Sequence, residues 1–297
     1  MWVRVLGSAA GGGFPQWNCV CPSCRAVRTG SRPATARSQS SIAVSPDREA
    51  WYLLNASPDI QSQIESFEAL HPDEGRVVRL KAVLLTDAEL DHTLGLLLMR
   101  EGRGLQIHGT ESIQETLTSG TGVLRTLEAY CPVEWRQVIP GNEVPLGEHL
   151  TYRAFNVPTQ KTMRFPGAEE YGRVIGYRIT DSRTGKSLVY LPGVQELTDE
   201  LMLELEGATG LLIDGTCWTD DEMPSLGLAA KTSRDMGHMP ISGEHGSLQR
   251  LAPLPIEHKI YIHINNTNPI LLEDSPEREA LTRHGMKVAA DGMELQI

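Results

Sequence analysis

With 297 residues, 40% of them hydrophobic, the chain is long enough for one large α/β domain or two small ones around a sizeable core, which excludes disorder as its main theme. Thirty-eight acidic against 27 basic side chains give a net charge of −11, which argues against nucleic acid or an anionic membrane as the main partner. The opening Met1-Trp2-Val3-Arg4-Val5 lacks the pattern of a signal peptide and no apolar run approaches the length of a bilayer span, so the expectation is a cytoplasmic protein without a membrane span.

A short strand leads into Gly7-Ser8-Ala9-Ala10-Gly11-Gly12-Gly13, which lacks the Lys-Ser/Thr ending of a phosphate loop; its glycines are expected to let the backbone approach another element closely. Cys19, Cys21 and Cys24 follow, and thiolates at this spacing converge on one tetrahedral Zn²⁺ with a fourth ligand from elsewhere in the chain. A redox pair of Cys21 and Cys24 is the competing reading, weakened by the third thiol and by the lack of a helix start beside it. Residues 25–36 are basic and read as exposed loop. Strands are expected over 38–44 and 51–55, then a helix capped by Ser57 with Pro58 at its first position, running to about Leu70.

The strand over 77–86 runs into Asp87-Ala88-Glu89-Leu90-Asp91-His92, four acidic or imidazole groups in six residues, with a helix over 93–100 after it. In an extended loop Asp87, Glu89 and Asp91 point the same way and repel one another unless a cation sits between them; a solvated acidic turn is the alternative. Further strands are expected over 105–108, 133–138, 150–156, 174–180, 188–191 and 211–214, the last ending in Asp214, with a largely helical stretch over 111–130. Thr198 caps a helix, Gly237-His238 lies in a polar loop, and the strand 259–266 delivers His263 at its end. Ser275-Pro276 starts the last helix, and residues 286–297 read as a terminal hairpin about Asp291-Gly292. Two successive halves of strands and helices without a linker suggest an α/β (α+β) chain folded as a four-layer αββα sandwich, one domain over 1–297.

The order of elements and the loop at Asp87 to His92 resemble the metallo-β-lactamase superfamily, whose corresponding loop reads H-x-H-x-D-H. Here it reads D-x-E-x-D-H: Asp91 and His92 match, while Asp87 and Glu89 stand in place of two His. The third His of the family, due near Val157-Pro158-Thr159-Gln160, is absent, and Pro192-Gly193 replaces the bridging Asp, whereas His263 matches the last ligand. Every loss falls on the first metal site or the bridge, so the resemblance implies a mononuclear centre of Asp91, His92 and His263. Two imidazoles and one carboxylate are the ligand set of non-haem Fe²⁺ oxygenases, although Zn²⁺ can occupy the same groups.

Finer motifs, among them Asn18-Cys19-Val20-Cys21, Ser57-Pro58-Asp59-Ile60, Asp214-Gly215-Thr216 and His263-Ile264-Asn265-Asn266-Thr267-Asn268-Pro269, resemble a branch of that superfamily acting in the making of pyrroloquinoline quinone (PQQ). The likeness covers essentially the whole chain. It implies iron-dependent hydroxylation of a small-molecule or dipeptide-like, tyrosine-derived PQQ precursor, with other proteins of the PQQ pathway as partners; a carrier for the cofactor or precursor and a zinc hydrolase are the alternatives. The cysteine cluster also resembles the phosphonate-pathway cyclic phosphodiesterase, which supplies a His as fourth zinc ligand where this chain has Asn266, leaving Asn266, Cys217, another His or water for that role. His238 is then an additional ligand, an acid/base group or a neighbour of the ligands; Asp87 and Glu89 accept protons, bind a substrate amine or hold the loop; Asp214 orients a ligand His. Lys161, Arg164, Arg173, Lys231 and Arg234 fall in loops near the expected mouth, where cations meet substrate carboxylates.

Overall fold

The computed structural model describes residues 1–72, 74–165 and 170–297. Among these residues, fourteen strands make two seven-stranded mixed sheets. The first sheet holds β1 (Trp2–Gly7), β2 (Ser41–Ser45), β3 (Trp51–Leu54), β4 (Leu80–Leu84), β5 (Leu105–Gly109) and β6 (Val133–Gln137), with β14 (Glu294–Gln296) on the far side of β1. The second runs in order from β7 (Glu143–Leu146) through β8 (Leu150–Asn156), β9 (Ile175–Asp181), β10 (Ser187–Leu191), β11 (Gly210–Asp214) and β12 (His258–Ile262) to β13 (Lys287–Val288).

Both sheets have the same wiring, antiparallel in one half and parallel in the other. In the first, β3, β4, β5 and β6 are parallel neighbours; in the second, β10, β11, β12 and β13 are. Parallel strands need covering on both faces, and β3, β10 and β11 are buried along their whole length, as their near-continuous apolar runs require. One core joins the sheets, with Leu53, Leu84, Tyr152 and Tyr177 among its members, and a second lies on the outer face of the second sheet under Leu201, Leu251 and Leu281. The helices are α1 (Pro22–Thr29), α2 (Ile60–Glu65), α3 (Leu90–Thr93), α4 (Glu111–Glu115), α5 (Val123–Glu128), α6 (Asp199–Leu205), α7 (Glu222–Ser225), α8 (Ser247–Leu251) and α9 (Pro276–Arg283). No helix among the described residues is long and apolar enough to cross a membrane.

The αββα sandwich expected from the sequence is the fold found, but several elements differ. The basic stretch taken as exposed loop begins with α1, whose N-cap is Cys21, with Pro22 at its first position and left-handed Gly30 at its end. Ser57 caps no long helix: its hydroxyl accepts from the Asp59 amide and donates to Gln63, and the segment to Leu70 is α2 followed by a separate 3₁₀ turn. Residues 94–99 wind as 3₁₀ helix after α3, with Gly95 packed on the chain at Ser57 so closely that a Cβ there would lie 2.1 Å from its carbonyl oxygen. The stretch 111–130 is two helices separated by a π-helical turn, Thr116–Gly120. The terminal hairpin does not form: β13 joins the second sheet and β14 the first, so residues between them tie the layers together. Strand β7 and helix α7 were not legible in the pattern.

Candidate metal centres and their cavity

The loops after parallel strands β4, β11 and β12 meet at one end of the sandwich, the end where strand C-termini leave a crevice. Thr86, just beyond β4, is held by Asn55, which takes a left-handed backbone (φ 63°) and exchanges hydrogen bonds of 2.9 Å with the Thr86 amide and hydroxyl. Thr86 in turn donates to Asp87 at 2.9 Å. The buried Asp87 carboxylate also accepts from the Glu89 amide and faces His92 Nδ1 at 2.7 Å. Asp87, Glu89 and Asp91 therefore do not point the same way. The loop stops being extended at Glu89, the N-cap of α3; Asp87 turns to His92, Glu89 reaches Lys161, and Asp91 faces His263.

His263 follows β12 with φ 57°, a left-handed conformation that a residue with a Cβ adopts at a cost of about 1–2 kcal/mol, a departure concentrated at functional sites. Its Nδ1 lies 2.9 Å from the Thr216 hydroxyl, which donates to Asp214 at 2.6 Å. Asp214, buried at the end of β11, also accepts from the amides of Val194 and Thr216 and faces His238 Nδ1 at 2.7 Å. His238 stacks on His263 with ring centroids 5.1 Å apart. Asp87 and Asp214 thus stand in matching places after the equivalent strands β4 and β11, each fixing an imidazole from its outer nitrogen.

These contacts set the tautomers. A carboxylate at Nδ1 of His92, and a hydroxyl already donating to Asp214 at Nδ1 of His263, both require N–H at Nδ1 and leave a lone pair on Nε2. His263 Nε2 faces Asp91 Oδ2 at 3.2 Å, and His92 Nε2 is buried without a hydrogen-bond partner among the described residues. Ligand atoms of Asp91, His92 and His263 all lie within 4.8 Å of one another. Two lone pairs and a carboxylate oxygen converge with no donor between them, which suits a bound cation. The surplus of carboxylates shows in the electrostatics: burial opposes it, yet Asp87 and Asp91 raise His92 to about 9, so a proton competes with a metal cation for Nε2, and Asp91, in spite of its own desolvation, is held well below the usual carboxylate range by His92 and His263. His263 is lowered, chiefly by burial.

Asp91, His92, His238 and His263 line a cavity of about 700 Å³. Val157, Thr159 and Gly193, from the segments where the metallo-β-lactamase pattern would place further ligands, line the same cavity with no group to offer a metal. Lys161, Arg164, Arg173 and Lys231 also reach it, whereas the Arg234 guanidinium is taken up by the carbonyls of Gln195 and His245. Gly11 of the Gly-rich turn sits so near the loop that a Cβ would come 3.1 Å from Asp91 Oδ2, the close approach its residue type allows.

A second cluster lies beside the first. The sulfurs of Cys19, Cys21 and Cys24 lie within 4.8 Å of one another, and Asn266 Nδ2 is 3.1 Å from Cys19 Sγ and 3.3 Å from Cys24 Sγ. Cys21, at the helix N-cap, accepts the Cys24 amide. Against burial, the Cys21 amide, the neighbouring thiols and Asn266 lower Cys19, while burial pushes Cys21 up to about 12. Cys217, another candidate for fourth ligand, is buried outside this group. Thr216 was missed as a site residue; it stands in the Asp-Gly-Thr motif, but nothing in the motif says that its hydroxyl meets His263.

The family model described as "Beta-lactamase superfamily domain" matches residues 50–264. The chain is 44% identical to Coenzyme PQQ synthesis protein B of Methylococcus capsulatus over 99% of both chains, and 44% identical to the protein of that name from Cupriavidus necator, again over 99% of both. Among solved structures, Zn²⁺-bound PqqB from Methylobacterium extorquens superposes with a TM-score of 0.92 at 39% identity, covering 100% of each chain. The chain belongs to the coenzyme PQQ synthesis protein B family of the beta-lactamase superfamily.

Proposed function

We propose that this protein, working as one domain over 1–297, acts in PQQ biosynthesis as a metal-dependent hydroxylase of a tyrosine-derived precursor, with Asp91, His92 and His263 holding Fe²⁺. The observation that carries this reading is the convergence of two imidazoles, each fixed from its outer nitrogen, and one carboxylate on one point of the cavity, with no hydrogen-bond donor between them. Two His and one carboxylate with open positions suit Fe²⁺, whose redox chemistry with dioxygen is what hydroxylation of a phenol requires. Asp87 keeps the proton on His92 Nδ1, and Asp214 does the same for His238 directly and for His263 through Thr216, so the inner nitrogens stay available as ligands or bases. The cavity, about 700 Å³, suits a dipeptide-sized precursor.

A structural Zn²⁺ would be held by the Cys19, Cys21 and Cys24 thiolates; Asn266 turns Nδ2, a donor, to the sulfurs and would serve as fourth ligand only through Oδ1, and the zinc in the Methylobacterium relative supports zinc in this family. A zinc hydrolase of the superfamily's two-metal kind would need ligands at Val157–Gln160 and Gly193, which this chain lacks. The test is spectroscopy of the anaerobic Fe²⁺-loaded protein with nitric oxide, beside a His92→Ala variant, followed by mass analysis of a tyrosine-derived precursor incubated with oxygen and reductant. An iron–nitrosyl signal lost in the variant and the gain of an oxygen atom by the precursor are expected. An identical signal in both proteins, or unchanged precursor, overturns the assignment.

A further inference from the structure

One ion pair at the cavity is not used by the metal-binding groups. Glu89 Oε1 lies 2.8 Å from Lys161 Nζ, and Oε2 lies 3.5 Å from Arg164 Nε. Of the carboxylates lining the cavity, Asp87 and Asp91 face the imidazoles of His92 and His263, whereas Glu89 is turned to the cations. Lys161, Arg164, Arg173 and Lys231 gather there in a chain of net charge −11, so this positive surface runs against the overall balance.

Lys161 is held in place by contacts other than Glu89. Arg173 donates to its carbonyl at 2.5 Å, and the Thr159 hydroxyl accepts its amide. Gln195 accepts the amide of the preceding Gln160 at 2.6 Å. Its side-chain stem lies over left-handed Gly237, where a Cβ would come 3.0 Å from Lys161 Cδ, next to His238. The backbone and stem of Lys161 are therefore held at the metal-site end of the cavity by contacts other than Glu89, while its ammonium group pairs with Glu89. The pair itself is partly exposed, 23% at Lys161 and 36% at Glu89, and pairs of that kind exchange readily because water and salt screen them.

We propose that Lys161 and Arg164 form the carboxylate-recognition subsite of this protein, and that Glu89 occupies it as an internal competitor until a carboxylate of the substrate displaces it. The inference rests on the substrate class proposed above, since a dipeptide-like, tyrosine-derived precursor carries a carboxylate. Glu89 then sets specificity: a ligand with one weakly placed carboxylate does not displace it, and a polycarboxylate does, because its second charge meets Arg173 or Lys231.

The test is equilibrium binding of PQQ, a tricarboxylate with its own visible absorbance, and of its trimethyl ester, to the full chain and its variants. Glu89→Gln is expected to bind PQQ about fivefold tighter, and Lys161→Met about tenfold more weakly, as for a half-exposed charge contact. The gain from Glu89→Gln disappears in the Glu89→Gln/Lys161→Met double variant, and the ester binds weakly and alike to all of them. Arg164→Gln, at a side chain 65% exposed, gives a second reading with no demand on folding. Equal or weaker PQQ binding by Glu89→Gln, a gain that survives in the double variant, or an ester that follows the acid overturns the proposal. Binding is read without turnover, so a failed hydroxylation with the Glu89→Gln gain intact removes the proposed reaction alone. Hydroxylation without that gain removes the competitor alone.

Discussion

The two candidate metal clusters are built on opposite plans. The three thiols are closed in: Cys19, Cys21 and Cys24 are buried at the start of α1, and the Asn266 amide fills the remaining direction. Asp91, His92 and His263 instead line an open cavity, and the two imidazoles spend their Nδ1 hydrogen bonds on their outer sides. Closed thiolate sites hold a fold and open imidazole–carboxylate sites admit a substrate. Yet they share one segment. His263 and Asn266 are three residues apart, and Asn265 to Asn268 are pinned by hydrogen bonds to Thr216, Gly215 and Glu222. The closed cluster therefore braces the left-handed His263 that the open one uses.

The sharpest way to break this comparison is Cys21→Ser. With the proposed metals bound, it is expected to cost more than about 3 kcal/mol by urea unfolding and also to lower retention of the proposed Fe²⁺ at the open cluster, because the brace is lost. An unmoved unfolding midpoint with full iron content would separate the two sites. His92→Ala strikes the other side: it leaves Asp87 buried without its partner, at about 3 kcal/mol, while zinc at the thiols stays at full occupancy by metal analysis. Asp214→Asn keeps the volume and loses the charge that orients His238 and His263; a roughly 10–100-fold loss of metal affinity at the open cluster is expected, read by competition with a chelator.

A smaller effect tests the shared segment by pH. Burial raises Glu222 from 4.5 to about 7, against the hydrogen bonds that Thr267 and the Trp218 amide donate to it. A folded-state value above the unfolded one gives stability that is complete below about 4.5 and lost as the pH rises through about 7. Glu222→Gln should flatten that slope in denaturant midpoints measured across this window, and an unchanged slope would place the titration elsewhere. The smallest expected effect is a control at a residue that belongs to neither cluster. Thr198 caps α6 by accepting the Leu201 amide, and Thr198→Ala should cost about 1 kcal/mol without changing the content of either metal.

Much of the fold was legible because local signals agreed with it. Apolar runs with β-branched residues marked β10 and β11, Ser275-Pro276 marked the start of α9, and Thr198 marked α6. Errors fell where a distant partner decides the local outcome. The π turn at Thr116–Gly120 packs Gly120 against Phe165, so that a Cβ would sit 2.8 Å from its ring, and the last two strands part company because each finds an edge in a different sheet. Helix α1 carried its own signals, Pro22 and Gly30, hidden by the basic side chains that suggested loop.

The joining of Asp91 and His92 with distant His263 came from the family resemblance, while residue types and spacing by themselves marked three close cysteines as metal-capable, the Asp87–His92 loop as a cluster of charge, and the chain as alternating strands and helices of a sandwich. Those properties are chemical and local, so they survive in a one-dimensional string. Only the tertiary structure decided that Asp87 serves His92, that Thr216 relays Asp214 to His263, that Glu89 turns to Lys161, and that one segment bridges both clusters. Each of these depends on which nitrogen or oxygen faces which neighbour across the sheets, and that direction is set by packing between residues far apart in the chain.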